Sequence, residues 1–252
     1  MKAKWMKWGL LAVMSTSILT ACQSQPKNEA DTVSGASIKT PREIIKSPVK
    51  KTDFLLGTAV ALSVYHPNTE EVITNALEMI KDLEKRITVN ASGSEVDEVN
   101  LAAGEKPVKV SADVYELIKL GLKYSEEFDG AFDITVGPLT ALWHIGFDDA
   151  KKPTQEEIDA VLPLVNYKDV ELNDAEQTVF LKKKGMQLDL GGIAKGYIAD
   201  KVWEYFAKEG ITTAVIDLGG NIVVMGGSPA RDGVAWNVGI QDPDASRGKT
   251  LG

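Results

Sequence analysis

The chain has 252 residues, with 28 Lys and Arg against 36 Asp and Glu, a formal net charge of -8 and a pI near 5.0. That acidic balance argues against a nucleic-acid partner and against broad electrostatic adhesion to anionic lipid. A single cysteine excludes an internal disulfide, and the roughly 200 residues beyond the N-terminal segment suffice for one large domain or two small ones.

Lys2, Lys4 and Lys7 form a positive leader. Residues 8–19 are an apolar run too short for a hydrocarbon layer of about 30 Å, which takes about 20 apolar residues. The pattern fits a signal peptide over residues 1–21 better than a transmembrane helix. It ends in Leu19-Thr20-Ala21-Cys22, which matches the bacterial lipobox. A lone cysteine is elsewhere most often a small buried hydrophobe. Directly behind an apolar leader, Cys22 reads instead as the lipidated first residue of the mature protein. At about 0.8 kcal/mol per buried methylene, two or more acyl chains, palmitate among them, hold a protein stably at a membrane face. Residues 22–51, polar and rich in Lys, Ser, Thr and Pro, read as the lipidated cysteine and a flexible tether. That leaves residues 52–252 as the folded domain, expected at the extracytoplasmic face of the cell membrane and held there by lipid alone.

Residues 54–65 (FLLGTAVALSVY) are a strand candidate containing Gly57. Residues 69–86 carry Val72, Ile73, Ala76, Leu77, Ile80 and Leu83 at helical spacing, an amphipathic helix. A polar loop with Ser92, Gly93 and Ser94 follows. Ser111 caps a second helix with Val114, Leu117, Ile118 and Leu122 on one face. Residues 130–139, taken by themselves, read as a buried strand with a proline turn. A short helix over 156–162 stops at Pro163, and 170–172 with 178–181 predict a hairpin around Asn173 and Asp174. Residues 186–190 form a short apolar strand. Ile198, Val202 and Phe206 mark the next helix, with Gly210 as its stop. Strands over 213–218, 222–225 and 235–240, the first two joined at Gly219-Gly220-Asn221, complete an α+β (mixed α/β) fold with a mixed sheet flanked by helices.

The stretch DLGGIAKGYIAD, residues 189–200, packs a carboxylate, a glycine pair and a lysine into one strand-to-helix turn. Glycines at a helix start let a backbone approach a ligand closely, and the free N–H groups of the first turn attract anions. Lys195 adds a mobile cation. Asp189 is out of place beside an anion unless a hard divalent cation or a donor group of the ligand lies between them. The bland alternative, a tight turn followed by a solvent-facing lysine, is the commoner meaning of such a spacing. The run is neither a Walker loop nor a dinucleotide GxGxxG. LDLGG at 188–192 recurs as IDLGG at 216–220, which two glycine turns at strand ends explain without duplication.

Other segments stand beside it: Leu56-Gly57-Thr58, residues 86–100 (RITVNASGSEVDEVN), residues 130–139 (GAFDITVGPL) and residues 236–243 (WNVGIQDP). Together with DLGGIAKG they resemble the FAD:protein FMN transferases, the ApbE-type flavin transferases, in their lipoprotein form, from about Phe54 to the last residue. Leu56 replaces the methionine of that family's MGT motif. The resemblance implies that Leu56, Asn90, Ala131, Phe132, Asp133, Asp189 and Lys195 bind FAD and that the Gly192 carbonyl touches Mg2+. The family's other metal ligands, an Asp pair and a Thr, lie further toward the C-terminus than anything matched here, so a C-terminally truncated chain is expected.

The activity so implied is Mg-dependent transfer of FMN from FAD to a Thr or Ser hydroxyl of an exported or membrane redox protein, with release of AMP. Two alternatives stay open: an FAD pyrophosphatase giving FMN and AMP, and a flavin-binding lipoprotein without catalysis. No residue stands out as a general base. His66 and His144 lack metal spacing and read as structural or surface groups, and no serine lies in a GxSxG elbow.

Overall fold

Val60, Leu62 and Val64 alternate with Ala61 and Ser63, and in the computed structural model all three are fully buried on one face of a strand. The structure describes residues 40–246 and 248–251. The leader, the lipobox and Cys22 lie outside the described residues. In chain order the elements are β1 (Val49–Leu55), β2 (Thr58–Val64), α1 (Glu70–Ile87), α2 (Glu95–Leu101), β3 (Val108–Lys109), α3 (Ala112–Glu127), α4 (Gly137–Trp143), α5 (Gln155–Val161), β4 (Val170–Asn173), β5 (Thr178–Leu181), α6 (Gly191–Lys208), β6 (Ala214–Leu218) and β7 (Asn221–Met225).

The strands form two sheets, one in the order β1-β2-β6-β7 and one in the order β3-β5-β4. The α+β class holds, but the sheets are antiparallel throughout rather than mixed. The reason is connectivity: β1–β2, β4–β5 and β6–β7 are hairpins, and β2 reaches its neighbour β6 only after residues 65–213. Among the described residues a parallel pairing occurs at one isolated bridge, Val136 with Gln187.

Several elements differ from expectation for local reasons. The single strand over 54–65 is a hairpin that folds back at Leu56-Gly57, both with positive φ (56° and 68°), the geometry of a two-residue primed turn. The strand expected over 130–139 is replaced at its end by α4, whose first turn carries Pro138, a position where the missing N–H costs nothing. The loop after α1 contains α2, capped by Ser94 Oγ, which accepts from the Asp97 N–H at 2.9 Å. The short helix α5 opens with a capping box between Thr154 and Glu157, and its axis runs on through Pro163 as a 3-10 turn, Leu162–Leu164. Residues 235–240 form no strand; there the Trp236 Nε1–H donates to the Met225 carbonyl at 3.2 Å. The polar segment expected as tether is bound to the domain from Arg42 onward. The Arg42 N–H reaches the Gly210 carbonyl, the Ile45 N–H reaches the Tyr65 carbonyl, and β1 begins at Val49, before residue 52.

The core lies between the first sheet and helices α1, α3 and α6. The apolar stripe of α1 is buried along its length, from Val72 to Ile87, as are Leu117 and Ile118 of α3 and Ile198, Val202 and Phe206 of α6. Polar ties join the same helices at their margins. Arg86 at the end of α1 binds Asp82 Oδ2 (2.8 Å), Asp113 Oδ2 (3.1 Å) and Ser111 Oγ (2.9 Å). Burial works to lower its pKa, but the bonds to Asp113 and Asp82 more than offset this and raise it. Glu116 of α3 accepts from Lys201 Nζ (2.9 Å) and Tyr197 Oη (2.8 Å) of α6. The Lys201 hydrogen bond, more than the one from Tyr197, holds its carboxyl below the usual range against a smaller opposing effect of burial.

Two outcomes follow for stability. Phe206 is fully buried, so Phe206→Ala should cost about 3–5 kcal/mol in denaturant unfolding. A carboxyl with a lowered folded-state pKa contributes stability above its unfolded value and loses that contribution as pH falls through its folded value. The stability gap between wild type and Glu116→Gln, up to about 1 kcal/mol for so exposed a pair, should therefore be present at neutral pH and close as the pH drops below the ordinary glutamate value of 4.5.

Candidate functional site

Residues 186–190, expected as a strand, join no sheet; two neighbouring segments, at Asn100 and at residues 134–137, hold their backbone instead. The Asn100 side chain at the end of α2 brackets Leu188, accepting from its N–H at 2.7 Å and donating to its carbonyl at 3.1 Å. The Asp189 N–H donates to the Ile134 carbonyl at 2.8 Å, and the Gly137 N–H to the Gln187 carbonyl at 3.2 Å. Position 137 must be glycine for the last contact, because a Cβ there would lie 2.6 Å from that carbonyl oxygen.

So held, Asp189 turns its side chain onto the start of α6. Its Oδ1 accepts from the Gly191 N–H at 2.9 Å and its Oδ2 from the Thr140 hydroxyl at 2.8 Å. The Ile193 and Ala194 N–H groups both donate to the Leu190 carbonyl. The expectation of several free N–H groups at this helix start is therefore corrected, since Asp189 itself takes the first. The carboxylate stands one residue before the Leu190 N-cap and accepts the first N–H of α6, a favourable position for a negative charge worth about 0.3–1 kcal/mol. Gly192 follows, so close to Phe132 that a Cβ would meet the ring at 3.1 Å. In a helix its carbonyl is directed toward the N–H four residues on, that of Gly196, with a second lone pair left over.

Two cavities adjoin this turn. The larger, about 710 Å³, is lined by Asn90, Asp97, Asn100, Thr140, Trp143 and Asp189 among others. The smaller, about 180 Å³, is lined by Leu56, Glu84, Asn90, Gly191, Asp189 and Lys195 among others. Asn90, Val89 and Asp189 belong to both walls, so the cavities meet there. Leu56 sits in the strained left-handed region, and its N–H is anchored on Glu84 Oε1 at 2.8 Å. Lys195 is half-buried in the smaller cavity and makes no ion pair or hydrogen bond among the described residues.

Of the residues singled out in the sequence, Leu56, Asn90, Asp189 and Lys195 converge on these walls. Ala131, Phe132, Asp133 and Gly192 line neither cavity. Phe132 packs on the helix start, and Ala131 is exposed. Asp133 is a knot in the fold: Oδ1 accepts from the Thr135 N–H and hydroxyl (2.8 and 2.7 Å) and Oδ2 from the Tyr167 N–H (2.9 Å). The second glycine pair, Gly219-Gly220, makes the β6–β7 hairpin turn (φ 69° and 98°) and lines neither cavity.

Sequence reasoning missed Thr140 and Asn100 as partners of the motif, and it treated the two histidines alike. His66 is fully buried and structural, with Nδ1 on the Glu43 carbonyl (2.7 Å) and Nε2 accepting from the Thr212 and Thr213 N–H groups. His144 lines the larger cavity. The spacing Thr140, His144 places both on one helical face, a signal present in the sequence. Among the described residues no group of three or more His, Cys, Asp or Glu is placed to hold a metal ion. Both Asp189 oxygens are already engaged, so these residues alone do not make a metal cage.

The model of the ApbE family matches residues 56–252. The FAD:protein FMN transferase of Klebsiella pneumoniae is 37% identical over 198 residues, covering 79% of this chain and 60% of the relative. The FAD:protein FMN transferase of Treponema pallidum is 34% identical over 212 residues, covering 77% of this chain and 58% of the relative. The chain thus spans about three-fifths of the length of these curated relatives. Among solved structures, the ApbE protein of Thermotoga maritima superposes with a TM-score of 0.73 at 29% identity, over 81% of this chain and 66% of that one. The flavin transferase ApbE of Vibrio cholerae gives 0.70 at 25% identity, over 78% and 64%.

Asn100→Ala should leave the buried Leu188 N–H and carbonyl without partners, at a cost of about 1–3 kcal/mol. It should also weaken binding in the adjoining cavities. Denaturant unfolding and ligand titration of the same variant check both effects.

Proposed function

The chain belongs to the ApbE family, and on that premise we propose that it transfers the FMN moiety of FAD to a Thr or Ser hydroxyl of a target protein and releases AMP. The observation that carries the reading is the junction of the two cavities at Asn90 and Asp189, with Lys195 in the smaller one and without a partner among the described residues. FAD is a long molecule with a ring system at each end and a diphosphate between them. Two apolar-walled spaces meeting at a polar seam suit that layout.

In the proposed step the acceptor oxygen forms a bond to the FMN-side phosphorus. The anhydride P–O bond breaks, and AMP departs with the electron pair. The protein's task is positioning and charge compensation. Lys195 supplies a mobile cation to the diphosphate, and Gly191 lets backbone and ligand approach closely. Asp189 ties the α6 start to α4 by accepting from the Thr140 hydroxyl and the Gly191 N–H. Asn100 holds the turn from behind.

Magnesium belongs to the reading because a diphosphate brings hard oxygens of its own, and Mg2+ is commonly held by one or two protein groups together with substrate phosphates and water. The Gly192 carbonyl is the donor implied here. The reading also places the protein at the extracytoplasmic membrane face through lipid on Cys22, acting on exported or membrane redox proteins. The leader and lipobox support that placement.

Incubation of the chain with FAD, Mg2+ and a candidate target, followed by intact mass, should show FMN added to the target, with the addition lost in EDTA. FMN and AMP released without any acceptor would mark a pyrophosphatase instead. FAD binding that ignores Mg2+ and yields no AMP would mark a non-catalytic binder. Lys195→Ala should weaken FAD binding by roughly ten- to a hundredfold, the loss of one charge-assisted contact of about 1.5–3 kcal/mol, with stability unchanged within about 0.5 kcal/mol. Unchanged affinity would remove Lys195 from the site.

A further inference from the structure

One wall of the smaller cavity is a two-residue turn that its own sequence does not favour. Leu56 and Gly57, between β1 and β2, line the cavity and both have positive φ (56° and 68°). Turns of this kind take Asn-Gly, Asp-Gly or Gly-Gly, because few other residues accept the left-handed region at the first position. Gly57 fits that rule and Leu56 breaks it. The Leu56 side chain is nevertheless seated against the core, beside Lys195 on the cavity wall.

What holds Leu56 there comes from outside the hairpin. Leu55 pairs with Thr58, so the β1–β2 ladder closes before the turn and leaves the Leu56 N–H without a strand partner. Glu84, near the end of α1, accepts that N–H on Oε1 at 2.8 Å. Its backbone serves the same wall. The Glu84 carbonyl accepts the Thr88 N–H at 3.0 Å, and Thr88 Oγ1 accepts the Asn90 N–H at 3.2 Å. Leu56, Glu84, Thr88 and Asn90 all line the cavity, so Glu84 joins two stretches of its wall that are distant in sequence. Oε2 has no hydrogen bond and Glu84 no ion pair among the described residues. A carboxylate repels a diphosphate held nearby, so its charge offers an anionic ligand nothing. The oxygen that accepts the Leu56 N–H is what the turn needs.

On the flavin-transfer reading of these cavities, we propose that Glu84 is a positioning residue for FAD. It acts through Leu56, holding the turn in its left-handed form so that the wall beside Lys195 is shaped before the ligand arrives. Preorganisation of this kind adds to affinity by removing an ordering cost from binding.

The test measures FAD affinity by equilibrium titration, and amide hydrogen exchange at Leu56, in wild type, Glu84→Gln and Glu84→Ala. Glu84→Ala should bind FAD about three- to tenfold more weakly, with rapid exchange at Leu56. Glu84→Gln keeps an acceptor for the N–H and loses the charge, so it should bind FAD at least as tightly as wild type and keep Leu56 protected. In a Leu56→Asn background, where an Asn-Gly turn holds itself, Glu84→Ala should cost no further affinity. Unchanged affinity in Glu84→Ala overturns the inference, as does a full additive loss in the Leu56→Asn background. A glutamine variant as weak as the alanine one also overturns it, because the carboxylate would then serve the ligand or its metal ion directly. Rapid exchange at Leu56 in the wild type overturns it without any variant. Each of these results leaves the flavin reading standing, whereas a wild-type chain that binds no FAD overturns that reading and this inference with it.

Discussion

The site depends on a carboxylate that binds at both of its oxygens. Asp189 joins the first N–H of α6 to the Thr140 hydroxyl of α4, and its own backbone is fixed on Ile134 and, through Leu188, on Asn100. Three segments far apart in sequence, at Asn100, at residues 134–140 and at the start of α6, thereby meet at one turn. Without that junction the start of α6 and the cavity wall at α4 would have no common reference point. The cost of such a polar junction, half-buried, is kept low because each oxygen has a donor.

This arrangement resolves a conflict in the motif. A carboxylate next to a phosphate site is repulsive, and the repulsion alone suggested an intervening cation. As the acceptor for the first N–H of α6, Asp189 instead has a structural reason to be there, and its charge is partly compensated by the α6 dipole. Lys195, one turn into α6, remains without a partner among the described residues and is the natural counter-charge for an anionic ligand. The motif thus divides its labour, one charge holding the turn and the other left for the ligand.

Much of the fold could be read from periodicity. The α1 stripe from Val72 to Leu83 and the α6 positions Ile198, Val202 and Phe206 are buried as their spacing implies. Where reading failed, tertiary partners decided. Residues 186–190 are apolar and extended, yet a side chain, Asn100, occupies the place of a neighbouring strand. The turn at Leu56-Gly57 was hidden because leucine rarely adopts positive φ; the Glu84 carboxylate that receives its N–H is 28 residues away. Asp133, which a motif match marks as a ligand residue, also accepts from Thr135 and Tyr167, contacts no local pattern announces.

In the proposed function one ligand spans both cavities across the Asn90–Asp189 seam. A crystal structure of the chain with FAD tests it most directly. The two ring systems should lie in the two cavities and the diphosphate within hydrogen-bond reach of Lys195 Nζ. FAD bound elsewhere, for instance in the open groove beside Thr212 and Gly226, or bound with its diphosphate remote from Lys195, would contradict it.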